Sequence, residues 1–184
     1  MKDDGVKKTD VMQIMGEEIG FGTRINAIDR KLVFKSVAER LKNCDLIFGC
    51  TDDHAGRSIL NSLSVYYCIP VIDMGVLIDS NQGIIHNVLG RVTLIKPKGP
   101  CMLCRNNINS ERVAAETMDT KEYERRRQEG YAPELGIKDP AVIAFTTAVA
   151  SQAIIEMINL FNGFMGDQDS PSVCCKIKIP KVAS

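Results

Sequence analysis

The chain has 184 residues, 45% apolar and 25% charged, enough apolar material for the core of one domain and too much for a mainly disordered polymer. Its 23 Lys and Arg balance its 23 Asp and Glu. That zero net charge argues against a dedicated nucleic-acid binder or a protein held to an anionic membrane, both of which carry a basic excess.

In chain order, Val11, Ile14, Met15 and Ile19 recur at helical spacing and predict a helix over 8–19. Gly20-Phe-Gly22 should end it, with a short strand over 23–28 behind. Leu32, Val37, Ala38 and Leu41 mark a second helix. Leu46 to Cys50 is an almost wholly apolar run, as expected of a strand buried on both faces. Thr51-Asp52-Asp53 reads as a helix-capping cluster, His54 to Tyr67 as the helix, and Pro70 to Gly75 as the next strand. This αβαβαβ order predicts a parallel sheet with right-handed crossovers.

After Gly75 the style changes. Gly83 to Val88 and Gly90 to Lys96 read as short strands joined by a tight turn, an antiparallel extension. A Pro/Gly-rich segment with Cys101 and Cys104 follows, then a charged stretch over 110–128 that suits either an exposed helix or a crossover. Pro140 to Phe161 reads as a long, mostly buried helix. Its longest charge-free part, ending at Ile155, is short of the ~20 residues that span a bilayer. Val173 to Ile179 is a candidate last strand.

The N-terminus, Met-Lys-Asp-Asp-Gly-Val-Lys-Lys, has no apolar core behind its charges and does not read as a signal peptide. Seven cysteines, an odd number without an export signal, do not suggest a secreted disulfide framework, so a cytoplasmic home is expected. Cys44, Cys50 and Cys68 lie in apolar runs and read as small hydrophobes.

The most informative stretch runs from Cys44 to Asn61. A carboxylate at the carboxyl end of a parallel strand faces the crevice where open α/β sheets bind ligands, and Asp52 has that position. Such a group can hold Mg²⁺ beside substrate phosphates; equally, Thr51, Asp52 or Asp53 can simply cap the helix. Arg57 and Asn61 are four residues apart, on one helix face. Arg57 can serve a ligand or pair with a surface acid. His54 reads as a surface residue at a helix start, and Arg125-Arg-Arg127 as a solvated face.

These residues resemble the ThiF/MoeB/HesA family, adenylating enzymes related to ubiquitin-activating enzymes. The family's apolar-Cys-Thr-Asp-Asn strand end, followed by Arg and Asn on the next helix, is matched by Thr51, Asp52, Arg57 and Asn61, with Asp53 in place of the Asn. Gly5-Val-Lys-Lys8 resembles the Gly-x-x-Lys that supplies a phosphate-contacting lysine, although Lys8 also suits an exposed first helical turn. Ile72 to Gly75, the segment 83–95, Gly99-Pro-Cys-Met-Leu-Cys104 and Gly136 to Val142 extend the likeness to about Gly163. It implies a Rossmann-like α/β fold with a mostly parallel sheet and an antiparallel extension, a domain over 1–163 and a cysteine-bearing tail over 164–184. It further implies activation of the C-terminus of a ubiquitin-like or sulfur-carrier protein with ATP and Mg²⁺. In that scheme Asp52 handles the metal, Lys8 the phosphates and Arg57 the nucleotide, with Asn61 beside them.

Two departures shape this expectation. No G-x-G-x-x-G occurs, so the likeness is to the carboxyl two-thirds of the family and its first βαβ unit would lie upstream of Met1. Its absence would leave a sheet edge for a homodimer or a partner to complete, and it speaks against a dinucleotide-dependent oxidoreductase. Moreover, Glu129 to Gly136 contains no cysteine where several relatives carry a nucleophile. A non-catalytic interaction subunit is therefore the alternative.

Cys101-x-x-Cys104 has half-zinc-site spacing. With Cys174 and Cys175, by the family's example, it would make a Zn²⁺ site; a redox pair or unliganded thiols are the other readings.

Overall fold

The computed structural model describes residues 5–81, 84–133, 135, 142–166 and 172–177, with only the backbone described for 79–81, 84–86 and 172–177. The segment 136–141 and the His86 side chain lie outside what is described. The chain forms two compact units, residues 1–40 and 41–184.

The first unit holds helix α1 (Lys8–Glu18) and the short helix α2 (Lys35–Arg40). Helix α1 ends as expected, because Gly20 and Gly22 adopt left-handed backbone angles that side chains disfavour. The expected strand over 23–28 is absent: the segment is irregular, and among the described residues of this unit no other strand supplies a hydrogen-bonding ladder.

The second unit is built on a four-stranded sheet in the order β1 (Ile47–Gly49), β2 (Val71–Asn81), β3 (Ile84–Ile95), β4 (Ser172–Ile177). Strands β1 and β2 are parallel and joined by helix α3 (His54–Tyr67); β3 and β4 each add antiparallel. The pair of short strands expected over 83–96 is instead one long strand. Gly90 is no turn but a buried ladder position, opposite Val76 on one side and Cys175 on the other.

The charged stretch forms two helices, α4 (Ser110–Thr117) and α5 (Thr120–Gln128). Helix α4 starts at an Asn109 cap that accepts from the Arg112 amide at 3.0 Å.

Alternation along β2 sends successive residues to opposite faces. Ile72 packs with Val92, Val149 and Ala153, the last two from α6 (Ile143–Asn162), while Asp73 turns toward α3. Helix α6 corrects an expectation. Only Val149 and Ala153 are buried, whereas Ile143, Ile154, Ile155, Ile158 and Phe161 are exposed. One narrow stripe meets the sheet. By length and composition α6 could cross a membrane, but its Val149–Ala153 stripe is part of the sheet's core.

Candidate functional site

The loop from Cys50 to Asp53 leaves the carboxyl end of β1 and enters α3. Asp53 is the helix cap: its carboxylate accepts from the Gly56 amide at 3.2 Å. A Cβ at position 56 would stand 2.5 Å from the Asp53 carboxylate, so glycine is what lets that cap close. Glu116 of α4 accepts from the next amide, Ala55 N–H, at 2.7 Å. With capping done by Asp53 and Glu116, Asp52 is left exposed at the strand end. Beside it, the buried Thr51 hydroxyl has no hydrogen-bond partner among the described residues.

Arg57 lies one turn into α3 and is largely buried. Its Nε donates to Asp73 Oδ1 at 3.3 Å and its Nη2 to the Thr51 carbonyl at 2.9 Å. The acid is therefore no surface group: Asp73 is 0% exposed. Its second oxygen accepts from Arg91 Nη2 at 3.0 Å, and Arg91 in turn donates to Asn107 at 2.9 Å. Two glycines clear the space. A Cβ on Gly49 would meet Leu60 at 2.8 Å and Asp73 at 3.3 Å, and one on Gly75 would meet Arg57 at 3.3 Å.

Asn61 is buried and accepts from the Met102 amide at 2.8 Å, so it braces the cysteine loop from below. In that loop the Cys101 and Cys104 sulfurs stand 3.6 Å apart. The Cys104 amide hydrogen-bonds the Cys101 sulfur and holds that thiol below its usual range. Cys174 and Cys175 fall on β4 opposite Arg91 and Gly90, with their side chains outside the described set. Among the described residues no cluster of three or more metal-ligating side chains occurs.

His54 Nδ1 accepts from the Asn109 amide at 3.1 Å, tying α3 to the start of α4. Burial, then the Arg57 charge, push its pKa down. Cys50 is pushed up, by burial and then by Asp73. Lys8 opens α1 in the first unit and is exposed, beside the Lys7–Asp29 ion pair. A cation at a helix N-terminus opposes the macrodipole.

The arrangement thus offers an exposed carboxylate at the end of a parallel strand, with a loop braced from two sides behind it. The ThiF family pattern matches residues 1–181. The chain belongs to the ThiF family. Members generally adenylate ubiquitin-like or sulfur-carrier proteins with ATP and Mg²⁺, and the α/β sheet with its parallel β1–β2 pair agrees with their Rossmann-like fold. Compared with curated proteins, the chain matches none.

The structure brings Thr51, Asp52, Arg57 and Asn61 onto one βα junction, while Lys8 belongs to the other unit. Sequence reasoning missed Asp73, Arg91, Asn107 and Glu116. A signal for the first was present: an ionisable residue inside the apolar run Val71-Ile-Asp-Met needs a buried partner.

Proposed function

We propose that this chain serves the ATP-dependent activation of the C-terminal carboxylate of a ubiquitin-like or sulfur-carrier protein, with Asp52 as the Mg²⁺ ligand. The observation that carries it is the division of labour in the loop: Asp53 caps α3, and Asp52 is left exposed at the end of β1. The unpartnered Thr51 hydroxyl next to it suits an oxygen ligand of the same site. Mg²⁺ there would offset phosphate charge as the carrier carboxylate attacks the α-phosphate. Arg57 would act beside the nucleotide while fixing the Thr51 carbonyl, with Asn61 supporting α3 against the cysteine loop.

Because no G-x-G-x-x-G supplies phosphate-cradling amides, ATP binding by this chain is expected to be weaker than micromolar. Calorimetric titration with ATP, with and without Mg²⁺, tests this. The Mg²⁺-dependent heat should vanish in Asp52→Asn; retention of that heat sinks the assignment. The missing glycine motif also favours the second reading, a non-catalytic interaction subunit, which predicts no Mg²⁺-dependent heat in either protein.

For zinc, two thiolates at about 2.3 Å from a tetrahedral ion stand about 3.8 Å apart, close to the observed 3.6 Å. Cys101 and Cys104 therefore fit half a site, and one thiolate of the Cys174–Cys175 pair, successive residues of a strand whose positions alternate in face, would add a third ligand. Bound zinc would tie the loop to β4. Elemental analysis should find about one zinc per chain, and Cys101→Ala should lower the melting temperature more than Cys44→Ala. Exposed Ile143, Ile158, Phe161 and Phe164 support self-association or a partner, which light scattering on dilute protein decides.

A further inference from the structure

Asp73 is the only buried carboxylate among the described residues, and the adenylation reading gives it no task. Its side-chain hydrogen bonds go to Arg57 and Arg91, and among the described residues none goes to Asp52 or the cysteine loop. Both of its oxygens are nevertheless committed, one to Arg57 and one to Arg91, and Arg91 is itself anchored on Asn107. We propose that Asp73 is a positioning residue that sets the Asp52 carboxylate, acting through Arg57 and the Thr51 carbonyl. This rests on the reading of Asp52 as the Mg²⁺ ligand.

The geometry runs in short rigid steps. The Arg57 guanidinium is planar, so an Nε fixed on Asp73 also fixes the direction of the Nη2 that holds Thr51. The Thr51 carbonyl shares its peptide plane with the Asp52 amide, so holding the carbonyl orients the backbone that carries Asp52. On the far side the loop is held by the Asp53 cap. Asp52 thus sits between two fixed points, one of which depends on Asp73. The glycines agree with this assignment. Residues 49 and 75 lack side chains where a Cβ would crowd Asp73 and Arg57 respectively.

The test compares the full chain with Asp73→Asn, which keeps size and one acceptor oxygen but removes the charge, and with Arg57→Lys. A lysine point charge cannot hold Asp73 and the Thr51 carbonyl together. Hydrogen exchange, read by mass spectrometry, should quicken about tenfold at amides 51–53 in both variants while α6 amides keep their rates. The Mg²⁺-dependent part of ATP binding should weaken by about tenfold or more, the scale of loss when the group that orients a metal ligand is removed.

Wild-type exchange at 51–53 together with a wild-type Mg²⁺ requirement overturns the inference and leaves Asp52 as ligand standing. Faster exchange spread equally over α6 overturns it too, since that is general destabilisation. If Asp73→Asn does not fold, Arg57→Lys decides by the same readouts. If the unmodified chain shows no Mg²⁺-dependent ATP binding, the Asp52 reading and the positioning role fall together. Exchange at 51–53 would then report loop bracing alone.

Discussion

The two faces of the sheet in the second unit are stabilised by different physics. Under α6, Ile72 and Val92 meet Val149 and Ala153 in a contact without a polar atom between the side chains. Under α3, one residue further along the same strand, Asp73 is bound by two arginines, and Gly49 and Gly75 make the room. An apolar contact is non-directional and tolerates repacking. A buried ion pair is directional, and it stabilises little relative to well-packed apolar residues of the same volume. A chain that needed only stability could have used the first solution twice. The polar face lies beside the loop that carries Asp52, and its directional bonds reach that loop through Arg57 and the Thr51 carbonyl.

The largest effect is expected on the polar face. Asp73→Ala leaves Arg57 and Arg91 without their shared carboxylate and should cost about 3–5 kcal/mol in denaturant unfolding, as for one partner removed from a buried pair. Replacing Asp73, Arg57 and Arg91 together by apolar residues should recover much of that stability and none of the Mg²⁺-dependent ATP binding. If the triple variant regained binding, the functional half of the contrast would be broken.

On the apolar face, Ile72→Ala should cost about 2–5 kcal/mol by equilibrium unfolding, with hydrogen exchange at 51–53 rising no more than at α6. A selective rise at 51–53 would mean that the two faces are not separable. A smaller change is expected from Asp53→Ala, which removes the cap of α3 and should lower stability by about 1 kcal/mol in the same assay.

The smallest belongs to neither face. Arg126, then Arg125, hold the partly exposed Glu122 carboxyl of α5 below its usual range. The pairing therefore helps above the unfolded carboxyl's pKa and is lost as pH falls through the lowered folded value. Titrating Glu122 by NMR should show the lowered value, and Glu122→Gln should leave unfolding at neutral pH nearly unchanged.

Much of this architecture was legible from residue order. Local patterns carried α1 with its glycine stop, the βα junction at 46–67, the strand starting at Val71 and the strand at 172–177, because each depends on neighbours a few residues away. The motif from Thr51 to Asn61 lies at a single βα junction, with Asp52 just past the end of its strand. Where expectation and structure parted, a distant partner decided. The segment 23–28 has strand-like residues, yet no strand among the described residues of its own unit pairs with it. Gly90 resembles a turn, yet ladders on both sides keep β3 running through it. Helix α6 has the composition of a buried helix and only one stripe that meets the sheet.

The site shows the same boundary. Sequence alone determined that Asp52 and Asp53 stand between a strand and a helix, and that one of them was available to cap it, whereas the strand expected to be buried on both faces leaves Phe48 exposed. Tertiary structure decided the roles. Asp53 reaches the Gly56 amide because residue 56 has no Cβ, and Asp52 is left to solvent. Arg57 was visible as a functional candidate, but its partner lies sixteen residues on, across the parallel crossover. Arg91 completes the pair from the next strand. Those bonds depend on register and on which face each residue occupies, quantities that arise only when strands far apart in sequence are laid side by side.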